Sequence, residues 1–137
     1  MSLLSTKGIY GLSAMYELSL IKSDKPTQTK EICEKAKIPQ NYLEQLLVVL
    51  KRAKLIKSVR GAHGGYLLAR NAEDISIKEI LIALEGEINI VQQQVENSTL
   101  NLFYKESNQK IESIFDISLS ELQEYQYKLN NQFNYTI

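Results

Sequence analysis

Between Leu43 and Arg70 the spacing of apolar residues changes once, abruptly, and that change limits what the chain can fold into. Leu43, Leu46, Leu47, Leu50 and Ala53 follow the 3, 4, 7 spacing of a helix, expected from about Gln40 to Ala53. Straight after it, Ile56 to Arg60 and Tyr66 to Arg70 are short strand-compatible runs joined by Gly61-Ala62-His63-Gly64-Gly65. Two such runs around a glycine-rich connection predict a β-hairpin.

Upstream, "KGIYGLSAMYELSLI" after Ser5-Thr6 predicts a first helix with two apolar stripes. Ile9, Leu12, Tyr16 and Leu20 form one; Tyr10, Ala14, Leu18 and Ile21 form the other. Two stripes imply a helix well covered by its neighbours. After the break "KSDKP", Thr29 is placed to cap a short second helix, "KEICEKA", with Glu31 at its positive dipole end. "KIPQ" then connects tightly to the leucine-rich third helix. Downstream, Ser76 and Glu79 form a capping box, stapled by Ile75 and Ile80, for a helix that ends at Gly86. Residues 87–97 predict no regular element. A longer helix is expected from Thr99 to about Asp116, through Phe103, Ile111, Ile114 and Phe115. A last one starts at the Ser118/Glu121 box, with Ile117 and Leu122 as staple, and runs to about Asn130, before a loose tail. Three helices, a hairpin and further helices describe a mainly α winged helix-turn-helix with a small β-hairpin.

The charge balance fits such a fold. The 16 basic and 16 acidic side chains cancel overall, yet residues 1–70 carry 12 Lys and Arg against 5 Asp and Glu, and residues 71–137 carry 4 against 11. A basic half predicts contact with a polyanion. No apolar run approaches the roughly 20 residues that span a bilayer, and nothing marks the N-terminus for export. A cytoplasmic location without membrane contact is therefore expected. The single cysteine, Cys33, excludes an intrachain disulfide and leaves a cysteine-held metal or iron–sulfur cluster without ligands, so no metal and no cofactor are expected.

Three chemistries compete for the glycine loop. A nucleotide-binding enzyme would use it as a phosphate cradle, but such loops join a strand to a helix and continue into Gly-Lys-Ser/Thr or G-x-G-x-x-G. This loop joins two strands and continues into Tyr66-Leu67-Leu68. His63 as a base or ligand lacks a second His, a Cys or a carboxylate at triad or ligand spacing. No enzyme activity is expected. What remains is a wing tip, with His63 a turn residue close to DNA. In a helix-turn-helix the second helix of the motif enters the major groove. The leucines of the third helix leave Gln40, Asn41, Glu44 and Gln45 on its outer face. Asn and Gln amides pair bidentately with adenine, and Glu accepts from the cytosine amine. Tyr42 either packs or reaches a phosphate, and Lys51, Arg52, Lys54 and Lys57 add positive charge.

"STKGIYGL", "NYLEQLL", "LIKSVRGAHGGYLLAR" and "EILIALEG" resemble the hallmark segments of the Rrf-two family of bacterial transcription regulators, over residues 3 to about 86. The resemblance implies a DNA-binding regulator, a repressor by expectation, acting as a homodimer on a palindromic operator in double-stranded DNA. By match to the family's motifs, Asn41, Tyr42, Glu44 and Gln45 fall on its DNA-reading helix. Arg60 with the glycines that follow, Gly61 and Gly64 among them, falls on the wing that reaches the minor groove. Lys7 and Tyr10 fall on its N-terminal backbone contacts. Residues 1–86 would be the DNA-binding domain, 87–130 the dimerisation helices with Phe103, Ile111, Ile114 and Phe115, and 131–137 a flexible tail. Pro39 departs from the family's capping Ser; proline suits a helix start because it lacks the N–H, but the capping oxygen is gone.

Members that hold an iron–sulfur cluster carry three cysteines between "ALEG" and the long helix, where this chain has none. The resemblance is thus to the cluster-less branch, in which Cys33 is expected to be buried packing. The chain ends "NQFNYTI". Serine acetyltransferases end in a similar isoleucine that enters a cysteine synthase, and cluster-less members of the family work with that enzyme. The likeness implies cysteine synthase as a partner, held through Tyr135 and Ile137, and control of cysteine and sulfur metabolism.

Overall fold

Leu43, Leu46, Leu47 and Leu50 are all buried, and the two helices before them, the helix after the hairpin and the hairpin's first strand pack against their helix. The computed structural model describes residues 1–135, with side chains through Gln132. Its helices are α1 (Thr6–Ser19), α2 (Thr29–Ala36), α3 (Gln40–Arg52), α4 (Ile77–Glu85), α5 (Ser98–Phe115) and α6 (Leu122–Tyr135). A hairpin of β1 (Ile56–Val59) and β2 (Gly65–Leu68) separates α3 from α4.

No side chain caps α3; it starts at Gln40 because Pro39 is held extended and its carbonyl accepts from Tyr42 and Leu43 N–H at 3.1 and 3.0 Å. Burial holds this helix in place, each leucine contributing roughly 1.5–3 kcal/mol. Ala53, expected on the apolar face, is exposed just beyond the helix end. On α1 the buried face is Gly8, Gly11, Ala14, Met15 and Leu18. The small glycines let α1 lie against α4, and this leaves part of one expected stripe open, with Ile9 52% and Leu20 38% exposed. Thr29 is already helical rather than a cap; Gln28 holds the cap position with no side-chain bond.

The hairpin is antiparallel, Ile56 facing Leu68 and Val59 facing Gly65. Thr27 adds a third short edge, exchanging backbone hydrogen bonds with Tyr66 at 2.9 and 2.8 Å. That edge fixes the α1–α2 connection to the wing.

Beyond Gly86 the chain has no regular element until α5. The capping box of Ser76 and Glu79 is formed, with Ile75 and Ile80 both buried beneath it. The segment after α5 returns to this point: Ile77 N–H donates to Ile117 O at 2.8 Å and Leu119 N–H to Ile75 O at 2.7 Å. Leu119 is fully buried and Phe115 packs on the same core, so the core is not confined to residues 1–86. The Ser118/Glu121 pair opens a 3-10 turn over residues 119–121 rather than an α-helix, because Leu119 is drawn inward. α6 follows and continues to Tyr135, past its expected end near Asn130.

Candidate nucleic-acid interface

α2 and α3 are joined by Lys37, Ile38 and Pro39. Lys37 takes the left-handed conformation (φ 56°), Ile38 N–H bonds back to Cys33 O at 3.2 Å, and the Ile38 side chain is buried. This short, anchored turn sets the angle between the two helices and directs the outer face of α3 into solvent. Gln40, Asn41, Glu44 and Gln45 are all exposed there. The Gln40 amide donates to the Glu44 carboxylate at 3.2 Å, holding both side chains one above the other at an i, i+4 spacing. Tyr42 is half-buried and meets Tyr10 of α1 edge to face, ring centroids 5.5 Å apart. The contact joins the N-terminal helix to the start of α3. Lys7 is exposed in the first turn of α1.

The start of α1 is fastened from an unexpected direction. The Glu85 carboxylate, at the far end of α4, accepts from Ser5 N–H at 2.8 Å, Gly8 N–H at 3.0 Å and the Ser5 hydroxyl. These are orphan donors of a helix start, which favour an anion. Burial pushes the Glu85 pKa up, but the Ser5 hydroxyl and amide, the Gly8 amide and Lys7 outweigh it and hold the carboxyl below its ordinary range.

At the wing, Gly61, Ala62 and His63 form the exposed tip. Gly64 is buried: its N–H closes the turn onto Gly61 O at 3.0 Å, and a Cβ there would stand 2.2 Å from Val59 O. It closes the turn that carries the wing tip. Arg60 is exposed and has no hydrogen bond or ion pair to any described residue. Arg70, at the other end of the hairpin, is committed to the Glu79 carboxylate and to Asp74 O. His63 shares a shallow surface groove with Lys25, Pro26, Gln28, Glu31 and Gly64.

Among the four expected dimerisation residues, Phe103 (60%) and Ile114 (66%) are widely exposed and Ile111 is half-buried. Phe115 is half-buried and packs against the core. No residue of α5 is buried. Tyr135 lies at the end of α6 with its side chain outside the described residues, and Ile137 lies outside them altogether.

Two asparagines of α5 hold the irregular segment before it. Asn108 bonds Ile90 N–H at 2.9 Å and Ile88 O at 2.8 Å, and Asn101 bonds both Val95 N–H and Val95 O. Neither this clamp, the third edge at Thr27 nor the Glu85 clasp is legible in the sequence, because each pairs a side chain or strand with backbone distant in the chain. Lys78 and Glu112 add an ion pair at 3.3 Å between α4 and α5. Among the described residues no three His, Cys, Asp or Glu side chains gather as metal ligands, and no helix is long and apolar enough to cross a membrane. Cys33 is half-buried; burial, then Glu44 and Glu34, push its thiol pKa up, so it stays protonated.

An exposed polar face on the second helix of a helix-turn-helix, beside a glycine-tipped wing, defines a winged-helix DNA-binding transcription regulator. The family model Rrf2, described as an iron-dependent transcriptional regulator, matches residues 4–130, and the chain belongs to that family. It is 43% identical to the regulator CymR of Bacillus subtilis over 89 residues, 65% of this chain and 64% of that protein. It is also 43% identical to the regulator IscR of Cereibacter sphaeroides over 88 residues, 63% of this chain and 57% of that protein. The alignments thus span less than two thirds of these two relatives. Among solved structures, CymR (YrzC), described as the global cysteine regulator of B. subtilis, superposes with a TM-score of 0.82 at 33% identity, covering 91% of this chain and 98% of that one. IscR of T. potens gives 0.76 at 36% identity, covering 90% and 87%.

The family's description implies iron. The donors on this chain do not fit an iron–sulfur cluster: residues 87–97 and α5 contain no cysteine, and the amides of Asn101 and Asn108 are already spent on backbone.

Proposed function

We propose that the chain is a homodimeric repressor that binds a palindromic operator, with α3 in the major groove and the wing in the minor groove, and that it works without a cluster, metal or other cofactor. The observation that carries this reading is the face of α3 opposite the buried leucines, where Asn41, Glu44 and Gln45 stand exposed. Gln40 stands exposed beside that face, bonded to Glu44; Arg60 with Gly61, His63 and the turn-closing Gly64 serves the wing, and Lys7 and Tyr10 meet the backbone. Tyr42 supports Tyr10 through the ring contact. The open apolar side of α5, with Phe103 and Ile114, supports the dimer. A nuclease footprint should show half-sites about one helical turn apart. Affinity should fall by roughly a thousandfold or more between 50 and 200 mM salt. A flat salt response, or no protection of the chain's own promoter at low salt, counts against the reading.

Control of cysteine and sulfur genes is supported by the likeness to a regulator described as a global cysteine regulator. Under this reading the chain binds a cysteine synthase through Tyr135 and Ile137. Deleting residues 135–137 should abolish capture of the host's cysteine synthase, and failure of the full chain to capture it removes that partner.

A further inference from the structure

We propose that Val48 reads sequence, selecting thymine through contact with its C5-methyl group. The inference rests on α3 being the major-groove helix and deepens that reading to one base identity.

Val48 is 54% exposed, whereas its neighbour Val49 is half-buried against the core. At about 100° per residue, Val48 lies within about 30° of the direction opposite the buried face of Leu43, Leu46, Leu47 and Leu50. Only Asn41, Gln45 and Arg52 share that outermost stripe of α3. Glu44 sits about 70° from it, on the flank. Val48 is therefore more central to the outer face than a residue whose polarity already suggested base reading.

A β-branched apolar side chain is a poor choice for an ordinary solvated helix position: it has lower helix propensity than Ala, Lys or Gln and gains nothing by burial there. It fits no phosphate, having no donor. In the major groove, the base feature that matches an apolar side chain is the thymine methyl. Distance allows it. From Asn41 to Val48 the helix rises about 10 Å, about two turns, and Val48 lies within one turn of Gln45. Val48 would follow the amides of Asn41 and Gln45 along the same groove floor.

The test uses the full-length chain. Duplexes are selected from a random library by wild type, Val48→Ala and Gln45→Ala, and every thymine of the wild-type site is then replaced singly by deoxyuridine, which lacks the methyl. Wild type should lose about fourfold in affinity at one symmetry-related position in each half-site, the equivalent of one buried methylene. Val48→Ala should be indifferent to uracil there, unchanged at other positions, and should select sites with that position relaxed. Its thermal midpoint should stay within a degree or two of wild type, since an exposed Ala is a better helix former. If Val48→Ala and wild type give the same uracil profile, or no thymine lies in the half-site, the role of Val48 is overturned while the reading of α3 stands. If wild type enriches no sequence and Gln45→Ala changes nothing, the reading of α3 itself has failed.

Discussion

Arg60 and Arg70 bracket the hairpin with the same chemistry and opposite commitments. Arg70 is spent on Glu79 and Asp74 O; Arg60 is unpaired among the described residues. Arg60→Ala should therefore weaken DNA binding by about 1–3 kcal/mol, read by titration at fixed salt, with the urea midpoint unchanged. Gly65→Ala should do the reverse. Gly65 has φ +152°, and a Cβ would stand 2.4 Å from Thr27 O, so the wing must separate from the third edge. A stability loss of about 1–3 kcal/mol by urea unfolding is expected. The glycine cluster announced a turn in the sequence, but which glycine meets which backbone did not, because Thr27 lies 38 positions before Gly65.

At the scale of elements, helix starts and connections decide how α1 and α5 sit on the wing domain. α1 has no cap from its own Ser5 side chain; the carboxylate of Glu85 takes that place. Glu85→Gln should cost about 1–2 kcal/mol at neutral pH, in the range of a lost cap. The sign with pH follows from the lowered folded pKa. The stabilisation is fully present above the unfolded glutamate value of about 4.3 and disappears as pH falls through the folded value. Wild-type and variant stability curves should therefore converge in acid, and parallel curves down to pH 3 would contradict the clasp. The Ser76/Glu79 box was readable because both halves lie within four residues, and the same locality made the Ser118/Glu121 pair visible. Its outcome, a 3-10 turn, depended on Leu119 finding the core.

For the whole molecule the open question is what covers α5. Phe103 and Ile114 expose large apolar surfaces, and such patches on a soluble protein mark association. In the proposed homodimer, Ile114→Glu combined with Phe103→Glu should give a monomer by sedimentation where the wild-type chain gives a dimer, and lower operator affinity by at least tenfold, since two half-sites no longer bind as one unit. Retention of a dimer would place the interface elsewhere, with the partly open stripe of Ile9 and Leu20 on α1 the next surface to test.

The sequence by itself determined the helix-turn-helix, the wing and the family, because their signals are local: leucine spacing, a change of period, glycines at a turn and capping boxes. It also determined which residues of α3 could face outward, since four leucines at helical spacing fix the inward side. Only the tertiary structure decided that Phe115 and Leu119 belong to the core, that Glu85 holds the start of α1, that Asn101 and Asn108 hold the segment before α5, and that Gly64 is buried. The Glu85, Leu119 and asparagine contacts depend on backbone groups that the fold brings together, and spacing along the chain carries no information about which donor or acceptor will be left without a partner. Phe115 depends on side-chain packing against the finished core, and Gly64 on the exact geometry of the wing turn.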